Sequence, residues 1–132
     1  MNEFVISCNL NQFDLVQFFE KNNKIVWKQT KKCNIGDIVY IYVGHPYSRL
    51  FFKCSVVAAN ISTCPPGNPF YENNTGRQKN PLFMELQLDK VLPECGLSLQ
   101  QLLDNGLKTV QCSTQVSDEL HRYILRIISK RC

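Results

Sequence analysis

The most strand-like stretch of the chain is GDIVYIYV, residues 36–43. A glycine and an aspartate precede six consecutive β-branched or aromatic residues, which is typical of a buried strand. Residues 44–48 have the composition of a turn, so we expect residues 49–59 to return as the second strand of a hairpin. Tyr40 and Tyr42 are two positions apart in the first strand of this hairpin, so their side chains should share one of its faces. There they either line a cavity or simply pack in the core.

Similar patterns place the remaining elements around this hairpin. Strands are predicted at residues 3–8, 24–27 and 82–89, with a small one at residues 107–111. Helices are predicted after the caps Asp14 (with Gln17), Ser98 (with Gln101, closing at Gly106) and Ser117. Residues 60–81 contain four of the six prolines and should form a long surface loop. We therefore expect one domain over residues 1–132, of the α+β class, with five or six mostly antiparallel strands in a small barrel and flanking helices.

Composition excludes several classes of protein. The chain has 132 residues, of which 44% are hydrophobic and 20% charged, so it suits a single globular domain and not a disordered chain. No window approaches about 18 uninterrupted apolar residues, so no membrane span is expected. Residues 1–20 contain Glu3 and Asp14 without a basic cluster ahead of an apolar core. They do not resemble a signal peptide, and we expect a cytoplasmic protein.

Signals for metal binding or catalysis are weak. The seven cysteines are an odd number without any CxxC spacing, so reduced, buried thiols are expected, with no metal and no cofactor. No glycine-rich phosphate loop, serine nucleophile elbow or paired acidic motif is present. A cysteine and a histidine could form a nucleophile pair, and an enzyme of this kind would depend on His45 or on a cysteine. We expect a protein that is not an enzyme.

Charge and aromatic residues indicate a different chemistry. The net charge is +4, but residues 21–53 hold seven basic residues against one acidic residue, a local excess of +6. Aromatic side chains are interspersed in this basic segment, as they are in surfaces that bind nucleic acids. The candidates for phosphate contacts are Lys28, Lys31, Lys32 and Lys53. The alternative is a lysine-rich surface that is merely solvated.

Trp27 is the only tryptophan of the chain. A lone tryptophan usually belongs to the core. Trp27, however, ends the predicted strand 24–27 and is followed at once by Lys28 and Gln29. The edge of an element is where an aromatic cage that stacks a base is built.

The order of these features resembles the EVE domain. The similarity is carried by FVISCN at residues 4–9, Trp27 after the first helix, IGDIVYIY at residues 35–42 and VVAA at residues 56–59. The segment 107–124 is similar to the closing part of that family. In place of the arginine-asparagine pair that follows the tryptophan in many EVE domains, this chain has Lys28-Gln29.

The resemblance implies a PUA-like barrel related to the YTH domain. Members of the family read modified bases, and bacterial members accompany restriction and defence proteins, often fused to nuclease domains. By this resemblance Trp27 would stack on a flipped base and Ser7 and Asn9 would contact its polar edge. Tyr42, Gly44 and Pro46 would form the opposite wall.

Three functions remain open from the sequence. The first is a non-catalytic reader of a modified base, with modified cytosine in DNA as the expected ligand and a nuclease or effector domain as an expected partner. The second is a PUA-like module that binds RNA through the same cavity. The third is a small enzyme of nucleotide or thiol chemistry.

Overall fold

A computed structural model describes residues 2–11, 13–29, 32–62, 82–93, 96–109 and 114–130. The elements in chain order are β1 (Glu3–Cys8), α1 (Leu15–Lys21), β2 (Lys24–Gln29), β3 (Ile38–Val43), β4 (Arg49–Ile61), β5 (Leu82–Val91), α2 (Leu99–Asp104), β6 (Thr114–Gln115) and α3 (Asp118–Lys130). Strands 3–8 and 38–43 are confirmed with the predicted bounds. The small strand predicted at residues 107–111 is not found at 107–109, where the backbone is irregular. Residues 110 and 111 lie outside the described residues, and so does most of the predicted proline-rich loop.

Side-chain caps begin the helices where the sequence predicts. The Asp14 carboxylate accepts a hydrogen bond from the backbone N–H of Gln17 at 3.1 Å, and Ser98 and Gln101 form a complete capping box. The Ser117 hydroxyl oxygen accepts from the N–H of Leu120 at 3.2 Å. Each cap satisfies a backbone donor that has no partner within its helix, and this is why the local sequence marks these boundaries so clearly.

Six strands form one mixed sheet in the order β2-β5-β4-β3-β1-β6. β1 and β3 are parallel, and the other paired strands of the described chain are antiparallel. The predicted α+β class with mostly antiparallel strands is confirmed, but the strands of the described residues form an open sheet and do not close into a barrel. The edge strands of the described sheet are β2 and the two-residue β6, which pairs with β1.

Both faces of the sheet are covered. On the first, which we call the α1 face, Leu15 and Phe19 of α1 pack on the sheet in a cluster that includes Cys8 and Trp27. On the second, the α3 face, residues of α2 and α3 pack on Val5, Tyr40 and Tyr42. Successive residues of a strand point to opposite faces, so Cys8 belongs to the α1 face and Ser7 lies on the α3 face. Within the described residues no helix is both long and apolar enough to cross a lipid bilayer.

Candidate nucleic-acid interface

The carboxyl ends of β1 and β3 meet at one edge of the sheet. These strands are parallel and in register, with Ser7 opposite Tyr42 and Cys8 opposite Val43. The backbone N–H of Gly44, just beyond β3, donates to the carbonyl oxygen of Cys8 at 3.1 Å. Two chain segments therefore leave the sheet side by side, and the side chains at their ends can act on the same ligand.

A cavity of about 390 Å³ opens at this edge. Its lining residues are Ser7, Cys8, Asn9, Asn11, Tyr42, Gly44 and His45. Four of the six residues predicted for a base pocket are thus brought together: Ser7, Asn9, Tyr42 and Gly44. The predicted residues Trp27 and Pro46 do not line this cavity. We refer to it below as the strand-end cavity.

Sequence reasoning did not assign three of the lining residues to the pocket. Cys8 belongs to the α1 face by strand alternation, yet it ends β1 at the cavity. Asn11 enters through a tight turn, in which its backbone N–H donates to the side-chain oxygen of Asn9 at 2.9 Å. His45 follows Gly44 directly. These three residues are close in sequence to predicted pocket residues. That proximity indicates a shared pocket only if β1 and β3 are known to be neighbours in the sheet.

The polar groups of the cavity suit the edge of a heterocyclic base. Asn9 and Asn11 contribute amides, each with donor and acceptor atoms, and Ser7 contributes a hydroxyl. Tyr42 is only 6% exposed, so a small part of its aromatic side chain borders the cavity. A small number of polar groups around an apolar wall is the usual composition of a small-molecule or base pocket.

Trp27 is buried in the core on the α1 face, with 8% of its surface exposed. Its ring meets that of Phe13 edge-on, with 6.5 Å between the centroids. Phe13 donates its backbone N–H to the carbonyl oxygen of Asn9 at 3.1 Å, and its own carbonyl oxygen accepts from the Cys8 thiol at 3.5 Å. Trp27 thus supports the segment that carries Asn9 and Asn11. The stacking of a base on Trp27 stays a prediction.

The strand that carries Trp27 is longer than the sequence suggests. β2 continues through Gln29, so Trp27 lies inside the strand, opposite Met84 of β5. The Gln29 amide is engaged by Asn60: its oxygen accepts from the Asn60 backbone N–H at 2.8 Å, and its nitrogen donates to the Asn60 side chain at 3.0 Å. At the position where many EVE domains have an asparagine, Gln29 therefore ties β2 to β4.

Cys8 and His45 both line the strand-end cavity, which raises the question of a nucleophile pair. Burial raises the pKa of the Cys8 thiol to about 11, so the thiolate is disfavoured at neutral pH. Among the described residues no hydrogen bond joins Cys8 to His45, and the thiol donates to Phe13 instead. The described residues also contain no group of three or more His, Cys, Asp or Glu that could hold a metal ion.

The predicted phosphate-contacting lysines lie on separate elements. Lys28 is half-buried on the edge strand β2, and Lys53 is half-buried on β4, with β5 between the two strands. Lys32 is exposed just beyond β2, whereas Lys31 lies outside the described residues. None of the described three lines the strand-end cavity, so a phosphate-binding role for them stays a prediction.

Comparisons with known proteins find solved structures with a similar fold but no match in sequence. No protein-family model and no curated protein sequence matches the chain. Human THYN1, solved in complex with DNA containing 5-methylcytosine, aligns over 100% of both chains with a TM-score of 0.66 at 11% identity. ASCH from Zymomonas mobilis has a TM-score of 0.64 at 13% identity, covering 95% of this chain and 94% of its own. A protein from Pseudomonas syringae has a TM-score of 0.67 at 11% identity, covering 94% of this chain and 97% of its own. The chain therefore has the PUA-like fold that its resemblance to the EVE domain implies.

Proposed function

We propose that this protein is a non-catalytic module that binds nucleic acid by taking a single extruded base into the strand-end cavity. The observation that carries the proposal is the convergence of Ser7, Asn9, Tyr42 and Gly44 at the ends of two parallel strands. A base inside a duplex cannot reach such a cavity, so the base would have to flip out of the stack or come from a single strand.

Modified cytosine in DNA is the ligand we propose. The Watson–Crick edge of cytosine carries a donor and acceptors, which match the amide and hydroxyl groups of Asn9, Asn11 and Ser7. A methyl group would require an apolar surface, and Tyr42 and Cys8 provide one at the same cavity. Support also comes from THYN1, which shares the fold and is solved with DNA containing 5-methylcytosine.

An exposed aromatic ring lies close in sequence to the cavity lining. Tyr47 is 43% exposed in the turn after His45, and its backbone N–H donates to the carbonyl oxygen of Gly44 at 3.0 Å. Its ring is held edge-on against Phe51, with centroids 5.0 Å apart and an interplanar angle of 90°. In the proposed complex Tyr47 supplies a stacking surface for a neighbouring base, while the lysines of the basic segment contact phosphates.

The test is a binding titration with three probes of the same sequence. They are a duplex with one 5-methylcytosine, the unmodified duplex, and the corresponding single-stranded RNA. We expect the methylated duplex to bind most tightly. Equal affinity for the two duplexes would contradict modification reading, and tighter binding of the RNA would favour the PUA-like RNA-binding alternative. A module that binds none of the three would overturn the proposal.

A variant of the cavity tests the site itself. Asn9→Ala removes an exposed amide of the lining, and we expect about fivefold weaker binding of the methylated duplex, since one hydrogen bond contributes about 1 kcal/mol. Gln100→Ala, which removes an exposed amide from α2, is the matched control and should bind like the wild type. Equal affinities for the two variants would place the site elsewhere.

A further inference from the structure

A second concave site lies between the C-terminal end of α2 and the outer surface of α3. It is a cavity of about 360 Å³ lined by Asn105, Glu119, Arg122, Tyr123 and Arg126. Asn105 is the C-terminal cap of α2, and the other four residues belong to α3. We call it the arginine cavity. It shares no residue with the strand-end cavity, so its ligand chemistry is independent of the proposed function.

The two guanidinium groups of this cavity are oriented by contacts within the protein. The Tyr123 hydroxyl donates to the carbonyl oxygen of Gly96 at 2.7 Å, which holds the ring in place. The Arg126 guanidinium carbon lies 5.3 Å from the centroid of that ring, within the range of a cation–π contact. Arg122 donates from Nε to the carbonyl oxygen of Asp118 at 3.3 Å. A guanidinium held in this way loses less side-chain entropy when it binds a ligand.

The lining of the arginine cavity carries two positively charged side chains, Arg122 and Arg126, and one negatively charged side chain, Glu119. Arg122 and Arg126 are four residues apart on one helix, a spacing at which like charges repel. Glu119 also lines the cavity, but in the described residues neither arginine forms a salt bridge with it or with any other carboxylate. Arg122 and Arg126 are the fifth and ninth of the 13 residues of α3, so neither lies in the last turn, where a basic side chain complements the helix dipole. The dipole does not explain why both side chains border a cavity next to a fixed tyrosine.

From this geometry we propose that the arginine cavity binds a phosphate group. Two guanidinium groups one helical turn apart can each donate paired hydrogen bonds to phosphate oxygens, and such charge-assisted pairs are strong and specific in geometry. The amide of Asn105 adds a further donor at the rim. The phosphate could belong to a small molecule or to a nucleic-acid backbone, since both present the same oxygens.

The experiment is a titration of ¹⁵N-labelled protein followed by NMR, with inorganic phosphate, a nucleoside monophosphate and a DNA duplex as separate probes. We expect chemical-shift changes at Asn105, Tyr123 and the two arginine Nε–H groups. Arg122→Gln and Arg126→Gln should each weaken binding at least about tenfold, because each removes a charged donor pair. Arg126→Lys keeps the charge but loses the planar fork, so it should bind with intermediate affinity.

Lys90→Gln is the matched control, since Lys90 is exposed on β5 and lies outside the cavity. It should retain the affinity of the wild type within about twofold, as expected for a charge that makes no direct contact. A response to the small phosphates alone identifies a small-molecule site, and a response to the duplex identifies a backbone contact. The proposal is overturned if acetate competes as well as phosphate, if the control weakens binding equally, or if no probe shifts the lining signals. Binding at the strand-end cavity is read separately through Asn9→Ala, so the two proposals can fail independently.

Discussion

The indole ring of Trp27 packs edge-on against the phenyl ring of Phe13, 6.5 Å between centroids, and Phe13 in turn is hydrogen-bonded to Asn9. This contact connects the core of the α1 face to the segment that lines the strand-end cavity. A change at Trp27 should therefore alter stability first and binding as a consequence.

Trp27→Ala should lower the free energy of unfolding by about 3–5 kcal/mol, the usual cost of removing a large buried aromatic side chain. Chemical denaturation of wild type and variant measures it. Trp27→Phe keeps an aromatic ring and should lose less. If Trp27→Ala unfolds like the wild type and binds the methylated duplex less tightly, then the indole stacks on the base as the EVE resemblance implies.

Tyr40→Phe should leave stability unchanged or raise it by up to about 1 kcal/mol. Tyr40 is fully buried, and its hydroxyl has no hydrogen-bond partner among the described residues. Burial, with a smaller contribution from the charge of Glu3, raises the pKa of Tyr40, as expected for a phenol removed from water. Tyr123→Phe is the matched control: it loses the bond to Gly96 and should cost about 1 kcal/mol. A larger loss for Tyr40→Phe than for Tyr123→Phe would contradict this interpretation.

Stability should fall in alkaline solution in part through Cys54. Burial raises the pKa of this thiol from 9.0 to about 12. Above about pH 9 the thiol ionises in the unfolded chain but stays protonated in the folded one, so the unfolded state is increasingly favoured until the pH passes about 12. The contribution is at most about 1.4 kcal/mol for each pH unit.

The measurement for Cys54 is denaturation of wild type and Cys54→Ala at about pH 8, 9 and 10, a range that spans the onset of ionisation in the unfolded chain. The variant is less stable at the lowest of these pH values because it leaves a small cavity, but its stability should fall less steeply with pH. Parallel pH dependences would show that Cys54 does not contribute.

Replacing Lys28 and Lys32 together by alanine should weaken binding to every DNA sequence and reduce the slope of log affinity against log salt by about one or two units. Titrations at several salt concentrations measure the slope. The double variant of the exposed Lys90 and Lys108 is the control and should leave it unchanged. If both double variants lower the slope equally, the effect is one of net charge alone.

Several features were determined by the sequence itself. The strand at residues 38–43, the cap of α1 at Asp14 and the capping box at Ser98 all have the predicted positions. Such features depend on residues a few positions apart, because alternation and capping are local interactions. Ser7, Asn9, Tyr42 and Gly44 were grouped through the family resemblance, and all four line the strand-end cavity.

Only the tertiary structure decided the surroundings of those elements. That β1 and β3 are neighbours, and so bring Cys8, Asn11 and His45 to one cavity, follows from how the chain crosses between them. The burial of Trp27 depends on the pairing of β2 with β5 and on Phe13, both remote from it in sequence. That β2 and β6 are the edge strands of the described sheet is likewise known only from the pairing of distant segments. Local sequence predicts where a strand begins. Which strands pair with it depends on contacts between distant segments, because each such contact has a cost in loop-closure entropy that a local sequence pattern does not contain.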